Sequence, residues 1–117
     1  MSIRLELSAV NERFSAALAA QDADTVANMY TEDARLVSAG RPVVRGREAI
    51  RAAFAASLAT GPSIVRFEPG DILEGGDLVV DIGRYATPKG TGNYIVVYQR
   101  QRDGSLQLAV DIGAADD

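Results

Sequence analysis

The sequence predicts an α+β domain of two layers, with three N-terminal helices covering one face of an antiparallel sheet. Three observations carry that prediction. Apolar residues recur at helical spacing in the first half of the chain and at strand spacing in the second. Turn signals built on glycine cut the second half into four runs of strand length. The 117 residues, 47% hydrophobic and 24% charged, suit a single domain with a single core.

The first helix is read from Ile3, Leu7, Val10, Phe14 and Leu18, which place one buried stripe on a helix running from about Ser2 to Ala20. Gln21 breaks the pattern. Asp22 is a good N-cap, and Asp24 suits the positive end of a second, brief helix that carries Val26, Met29 and Tyr30 and ends near Thr31. Glu32 and Asp33 read as a loop. Ala34 to Val37 then read as a strand, with Pro42-Val43-Val44 as its partner after the turn at Ala39-Gly40, a small hairpin at a sheet edge. Gly46 launches a third helix marked by Ile50, Ala53, Phe54 and Leu58, which Thr60-Gly61-Pro62 stop.

Four strands follow, at Ser63 to Leu73, Leu78 to Ala86, Tyr94 to Arg100 and Leu106 to Gly113. Their connections are short and contain glycine, so neighbours in sequence pair as an antiparallel meander. Ala114 to Asp117 read as a solvated tail.

Composition narrows the function. A net charge of -4, with the twelve basic residues dispersed, speaks against nucleic acid or an acidic membrane as partner, since both are held by clustered Lys and Arg. Without cysteine there is no disulfide, thiolate nucleophile or Cys-ligated metal. Without histidine the commonest general base and the usual zinc and iron ligands are missing, so neither metal nor cofactor is expected. The opening MSIRLELSAV lacks the apolar core of a signal peptide and no apolar run approaches a membrane span, so a soluble cytoplasmic protein is expected.

Three stretches, ALAAQDADTVANMYTEDARLV, RPVVRGREAIRAAF and GNYIVVYQRQRDGSLQLAVDIGAADD, carry a resemblance that spans essentially the whole chain. It resembles the nuclear-transport-factor-2-like superfamily, in its ketosteroid-isomerase-like and SnoaL-like branches. The resemblance implies a cone-shaped curved sheet wrapped by helices, a deep pocket at the open end, and a homodimer. Functions within the superfamily run from isomerases, cyclases, dehydratases and epoxide hydrolases to proteins with no chemistry.

Carried over residue by residue, the isomerase's oxyanion-hole tyrosine falls at Phe14, its base at about Ser38 and its protonated acid at about Val97. None of the three can do the required chemistry, so steroid isomerisation by that mechanism is rejected. Tyr30 does match a tyrosine often found at the end of the second helix. Epoxide hydrolysis also lacks support, because the residue two beyond Arg84 is Ala86 and not a second carboxylate.

The same carry-over turns Leu78, Val80, Ile82 and Arg84 toward the pocket, with Asn93, Ile95, Val97 and Gln99 of the next strand and Gln107, Ala109 and Asp111 of the last. Phe14, Leu18, Met29 and Phe54 complete the wall from the helices. The opposite face, with Val79, Tyr94, Val96, Tyr98, Leu106, Leu108, Val110 and Ile112, then becomes the dimer interface. Periodicity alone supports the reverse, in which 106, 108, 110 and 112 are the helix-facing core and Asp111 meets solvent. In the first register Asp111, Arg84 and Tyr30 are the candidate catalytic residues: Asp111 as base or anchor, Arg84 for a carboxylate or enolate, Tyr30 as a donor. A structural ion pair of Arg84 with Asp111 is the competing account.

Other features are read as structural. Arg45, Arg47 and Arg51, with Glu48 among them, form a solvated face, and Gly90-Thr91-Gly92 is a hairpin loop with no helix behind it. Two functions remain open: a small-molecule-binding domain with an apolar pocket, and a cofactor-independent acid/base enzyme of isomerase, cyclase or lyase type acting on a small apolar or polyketide-like substrate.

Overall fold

The computed structural model describes residues 2–117 of the chain. Helix α1 (Ile3–Ala19) starts at Ser2, whose hydroxyl accepts from the Leu5 amide at 3.2 Å, and it buries Leu7, Val10, Phe14 and Leu18 on one side. Gln21, left-handed at φ 57°, turns the chain out of α1, and its side-chain amide donates to the Leu58 carbonyl at 2.7 Å. Asp22 caps α2 (Ala23–Asn28) by accepting from the Thr25 amide at 3.1 Å. The Thr25 hydroxyl and amide hold the Asp22 carboxyl below its ordinary pKa.

The second helix ends before the expected Thr31 because Tyr30 already opens strand β1 (Tyr30–Ser38). Glu32 and Asp33, expected as a loop, lie inside that strand, where its register against its neighbour breaks between Tyr30 and Arg35. Strand β2 (Val44–Arg45) pairs antiparallel with β1 at the sheet edge, as the hairpin reading requires. Helix α3 (Arg47–Leu58) follows Gly46.

Strands β3 (Arg66–Gly75), β4 (Leu78–Thr87), β5 (Gly90–Arg100) and β6 (Leu106–Ala115) form the antiparallel meander. β1 joins β6 in parallel, so the curved sheet of six strands is mixed, in the order β2-β1-β6-β5-β4-β3. The expected tail, Ala114 to Asp117, is solvated as read, but its first residues extend β6 and pin it to the sheet. Ala114 and Ala115 pair with Asn93 and Gly92, and the Asp116 carboxylate accepts from Arg84 and Thr91. No described helix is long and apolar enough to cross a membrane.

The helix-facing side of the sheet carries Val79, Tyr94, Val96, Tyr98, Leu106 and Leu108, packed on the α1 stripe. This reverses the register expected for β4 and β5. Leu78, Val80, Ile82 and Arg84, with Asn93, Ile95, Val97 and Gln99, lie on the outer face, where Ile82 is 40% and Ile95 38% exposed. Aromatic area decides the matter: turning Tyr94 and Tyr98 inward removes two large side chains from water, more than the Ile and Val set would. Gly83, paired with Tyr94, makes room for that ring, which a Cβ at 83 would strike.

On β6 both periodicity readings are half right. Val97 pairs with Val110 while the adjacent Tyr98 pairs with Leu108, so Ala109 is one residue too many and forms a β-bulge. Leu106 and Leu108 face the helices on one side of it. Beyond it the parity flips, Val110 and Ile112 turn outward, and Asp111 opposite buried Val96 turns inward. Asp111 is inside, but only because of the bulge.

Candidate functional site

Phe14 is the hub of the interior. Its ring meets Tyr30, Phe54 and Phe67 edge-on at centroid distances of 6.0, 6.2 and 5.7 Å, and Phe67 meets Tyr94 at 5.8 Å. Between this aromatic cluster, the end of α3 and β1 runs an open groove of about 380 Å³, walled by Phe14, Leu18, Leu36, Phe54, Leu58, Phe67 and Tyr85. Ser38 and Gly113 edge it, and Asp111 and Tyr94 reach it from the sheet. A smaller cavity of about 30 Å³ lies among Val10, Asn11, Val96, Tyr98 and Leu108 and shares Phe14, Phe67, Tyr94 and Asp111 with the groove.

Asp111 is the ionisable carboxyl at the junction of these two spaces. The Tyr30 hydroxyl donates to its Oδ2 at 2.6 Å. Burial raises the Asp111 pKa above the ordinary carboxylate range, and the Tyr30 bond offsets part of that rise by favouring the charged form. Tyr30 is fully buried, and burial first, then the Asp111 charge, push its pKa well above 10. It therefore stays a donor at any ordinary pH.

Tyr30 is itself held from behind. The Arg47 Nε and Nη2 both donate to its carbonyl, at 3.0 and 2.7 Å. Arg47 is thus more than part of a solvated face. Arg51 does lie at the surface, paired with Asp24 and Glu48.

A second Asp–Tyr pair, unmarked in the sequence reading, sits deeper. Asp81 on β4 is fully buried, accepting from the Tyr94 hydroxyl at 2.6 Å and from the Gly70 amide at 2.9 Å. A bulge in β3 aims that amide inward: Glu68 and Asp71 pair with Arg84 and Ile82, leaving one residue too many on β3. Gly70 passes so close to the Ile82 carbonyl that no Cβ fits, and Arg4 of α1 donates to the Pro69 and Gly70 carbonyls at 2.9 and 2.7 Å. Val96 is in register with both aspartates, and Tyr98, two residues on along the same face of β5, feels both. Burial raises its pKa, and Asp81 and Asp111 raise it further.

Of the expected catalytic residues, Tyr30 and Asp111 come together and Arg84 does not. Arg84 stands on the outer face with its side chain 51% exposed, donating to Asp116 at 3.0 and 2.7 Å and to Asn93 at 3.0 Å. That contact holds the Asp116 carboxyl down to a pKa of about 2. The alternative pairing of Arg84 with Asp111 is likewise absent, since the two lie on opposite faces.

Among the expected pocket residues, Phe14, Leu18 and Phe54 line the groove. Met29 ends α2 and packs on the core, its carbonyl accepting from the Leu108 amide at 2.8 Å. Leu78, Val80, Ile82, Asn93, Ile95, Val97 and Gln99 are outside, and Ala109 is the bulge residue. Asn11, Phe67, Tyr85, Tyr94 and Tyr98 take the places that reading gave them. Tyr94 and Tyr98, expected at a subunit interface, are interior.

The SnoaL-like domain family matches residues 11–108. Among curated proteins none matches the chain significantly. Solved structures do. A protein of unknown function from Mycobacterium tuberculosis is 26% identical, with a TM-score of 0.77 over 96% of this chain and 70% of that one. An NTF2-like protein with a cystatin-like fold from Novosphingobium aromaticivorans is 16% identical, with a TM-score of 0.80 over 97% and 82%. A ketosteroid isomerase-like protein from Erwinia carotovora atroseptica is 17% identical, with a TM-score of 0.75 over 97% and 95%. The last two share the fold, and the length of the family match settles membership: the chain belongs to the SnoaL-like domain family.

Proposed function

We propose that this is a small-molecule-binding domain whose groove takes an uncharged, largely apolar molecule with its polar end against Asp111. The observation that carries the reading is the position of that carboxylate. It ends an apolar groove with Tyr30 as the one donor the described residues give it, and no Lys or Arg lines the groove or the cavity below it. A carboxylate so placed is left with hydrogen-bonding capacity directed at whatever enters, while apolar walls supply the affinity.

A second reading, acid/base catalysis on a small apolar or polyketide-like substrate, is favoured by the raised pKa of Asp111. It would act as base or acid, with Tyr30 holding it in place and Arg84 taking no part. The ketosteroid isomerase route stays closed, because Phe14 is an aromatic hub without a hydroxyl and Val97 points outward.

We further propose a homodimer through the outer sheet face, where Leu78, Val80, Ile82, Ile95 and Val97 form an apolar patch across β4 and β5.

A thermal-shift panel of steroids, epoxides and aromatic polyketides tests the binding reading. At least one class is expected to stabilise the wild type, and Asp111→Asn to weaken that effect, while Arg84→Ala leaves it intact. A panel with no stabilising compound, or an Asp111→Asn response equal to wild type, overturns it.

A further inference from the structure

We infer that the small cavity beneath the groove is the head-group subsite of the same ligand, and that Asn11 is the residue that reads it, donating from Nδ2 to an uncharged oxygen. The inference rests on the groove being a ligand site and names what the ligand must carry.

Asn11 lies on α1, one turn before Phe14, and is only 7% exposed. Its Nδ2 is buried without a hydrogen-bond partner. An orphaned buried amide costs about 1–3 kcal/mol, and folded proteins keep few of them without a reason. Leucine at that position would keep the volume of the side chain without the cost. The neighbouring Tyr94 hydroxyl does not meet this amide in hydrogen-bond geometry, and its own proton is committed to Asp81. The Tyr30 proton is committed to Asp111 in the same way. Asn11 Nδ2 is thus a buried, unpartnered donor facing this space, with Tyr98 also on the lining.

Size and charge define the guest. About 30 Å³ admits roughly one or two water-sized groups, enough for a carbonyl or hydroxyl and too little for a ring. The ring system would stay in the groove, which shares Phe14, Phe67, Tyr94 and Asp111 with the cavity. An anionic oxygen would meet the Asp111 carboxylate with no Lys or Arg on the lining to offset it. A neutral oxygen meets Asn11 Nδ2 without that penalty, and a hydroxyl can in addition donate to Asp111.

The test compares three probes of one shape, 1-tetralone, 1-tetralol and tetralin, by calorimetry on the wild type and on Asn11→Leu. The expected result is that the ketone or the alcohol binds about tenfold or more tighter than tetralin, which one of the two telling carbonyl from hydroxyl, and that Asn11→Leu removes this preference while still binding tetralin. A side-chain amide NMR spectrum of wild-type protein gives a readout that does not depend on the variant folding. The Asn11 Nδ2 resonances should move with the favoured oxygen probe and not with tetralin. Equal affinity for all three probes, a preference that survives in Asn11→Leu, or an unmoved Asn11 amide overturns the inference and leaves the groove as a ligand site. No binding of any probe removes both.

Discussion

Replacing Tyr30 by Phe removes one oxygen and leaves the ring, with its contacts to Phe14 and Phe54 at centroid distances of 6.0 and 6.1 Å. What is lost is the 2.6 Å hydrogen bond to Asp111. A bond to a charged acceptor contributes about 1.5–3 kcal/mol and a bond between neutral groups about 0.5–1.5 kcal/mol, so the cost depends on how Asp111 is ionised. Burial raises the folded-state pKa of Asp111 above its unfolded value, so the carboxyl supports folding fully below the unfolded pKa and becomes a liability as pH rises through the folded one. Tyr30 relieves that liability. Its removal raises the folded pKa further, and the gap between variant and wild type should therefore widen as pH rises from 4 to 8, within the span of about 0.5–3 kcal/mol that one such bond covers. Urea midpoints at both values, with unchanged slopes, measure the gap. The double variant with Asp111→Asn should show a coupling of roughly 1–2 kcal/mol at pH 8. A gap that is the same at both pH values, together with strict additivity in the double variant, would refute the idea that Tyr30 acts through the Asp111 charge.

Asp81→Ala strands the Tyr94 hydroxyl and the Gly70 amide, both of which now donate to the buried carboxylate, and is expected to lower the urea-unfolding free energy by about 2–5 kcal/mol. A loss under 1 kcal/mol would mean the interior re-pairs these donors. Ile82→Glu places a charge in the middle of the outer apolar face and should convert a dimer to a monomer by sedimentation, with the fold kept by circular dichroism. A wild type that sediments as a monomer at micromolar concentration removes that interface.

The elements were legible because each rests on local chemistry. The Asp22 cap, the α1 stripe and the turns at Gly76 and Gly104 all act within a few residues and are found where the sequence puts them. Gly90-Thr91-Gly92, read as a loop, instead opens β5 and pairs with Thr87, Ala86 and Tyr85. Facing was less legible, because it depends on one residue of register. Along β6, strict alternation of Leu106, Leu108, Val110 and Ile112 suggests a single buried face, but Ala109 is an extra residue and splits that set in two. Nothing at Ala109 itself signals a bulge. On β4 and β5, Arg84 and Asp81 are equally charged candidates for burial in the sequence; Gly83, which admits the Tyr94 ring, is the signal that could have chosen between them. Asn11 was missed for a simpler reason. A polar residue beside a helix stripe reads as surface until the packing shows its amide enclosed.

The two Asp–Tyr pairs in one interior also help to separate a structural group from a functional one. Both pairs are joined at 2.6 Å, and each depends on a bulge, one in β3 that brings the Gly70 amide to Asp81 and one in β6 that turns Asp111 inward. Asp81 is sealed, with both oxygens met by protein donors. Asp111 has Tyr30 alone, stands at the shared wall of the cavity and the groove, and faces a space that also holds an unpartnered amide. A fold can stabilise a buried carboxylate at either place, as Asp81 demonstrates. Leaving one donor and one acceptor incomplete around the same small space costs stability that closing it would recover, and such a cost is borne most simply when a ligand completes the set.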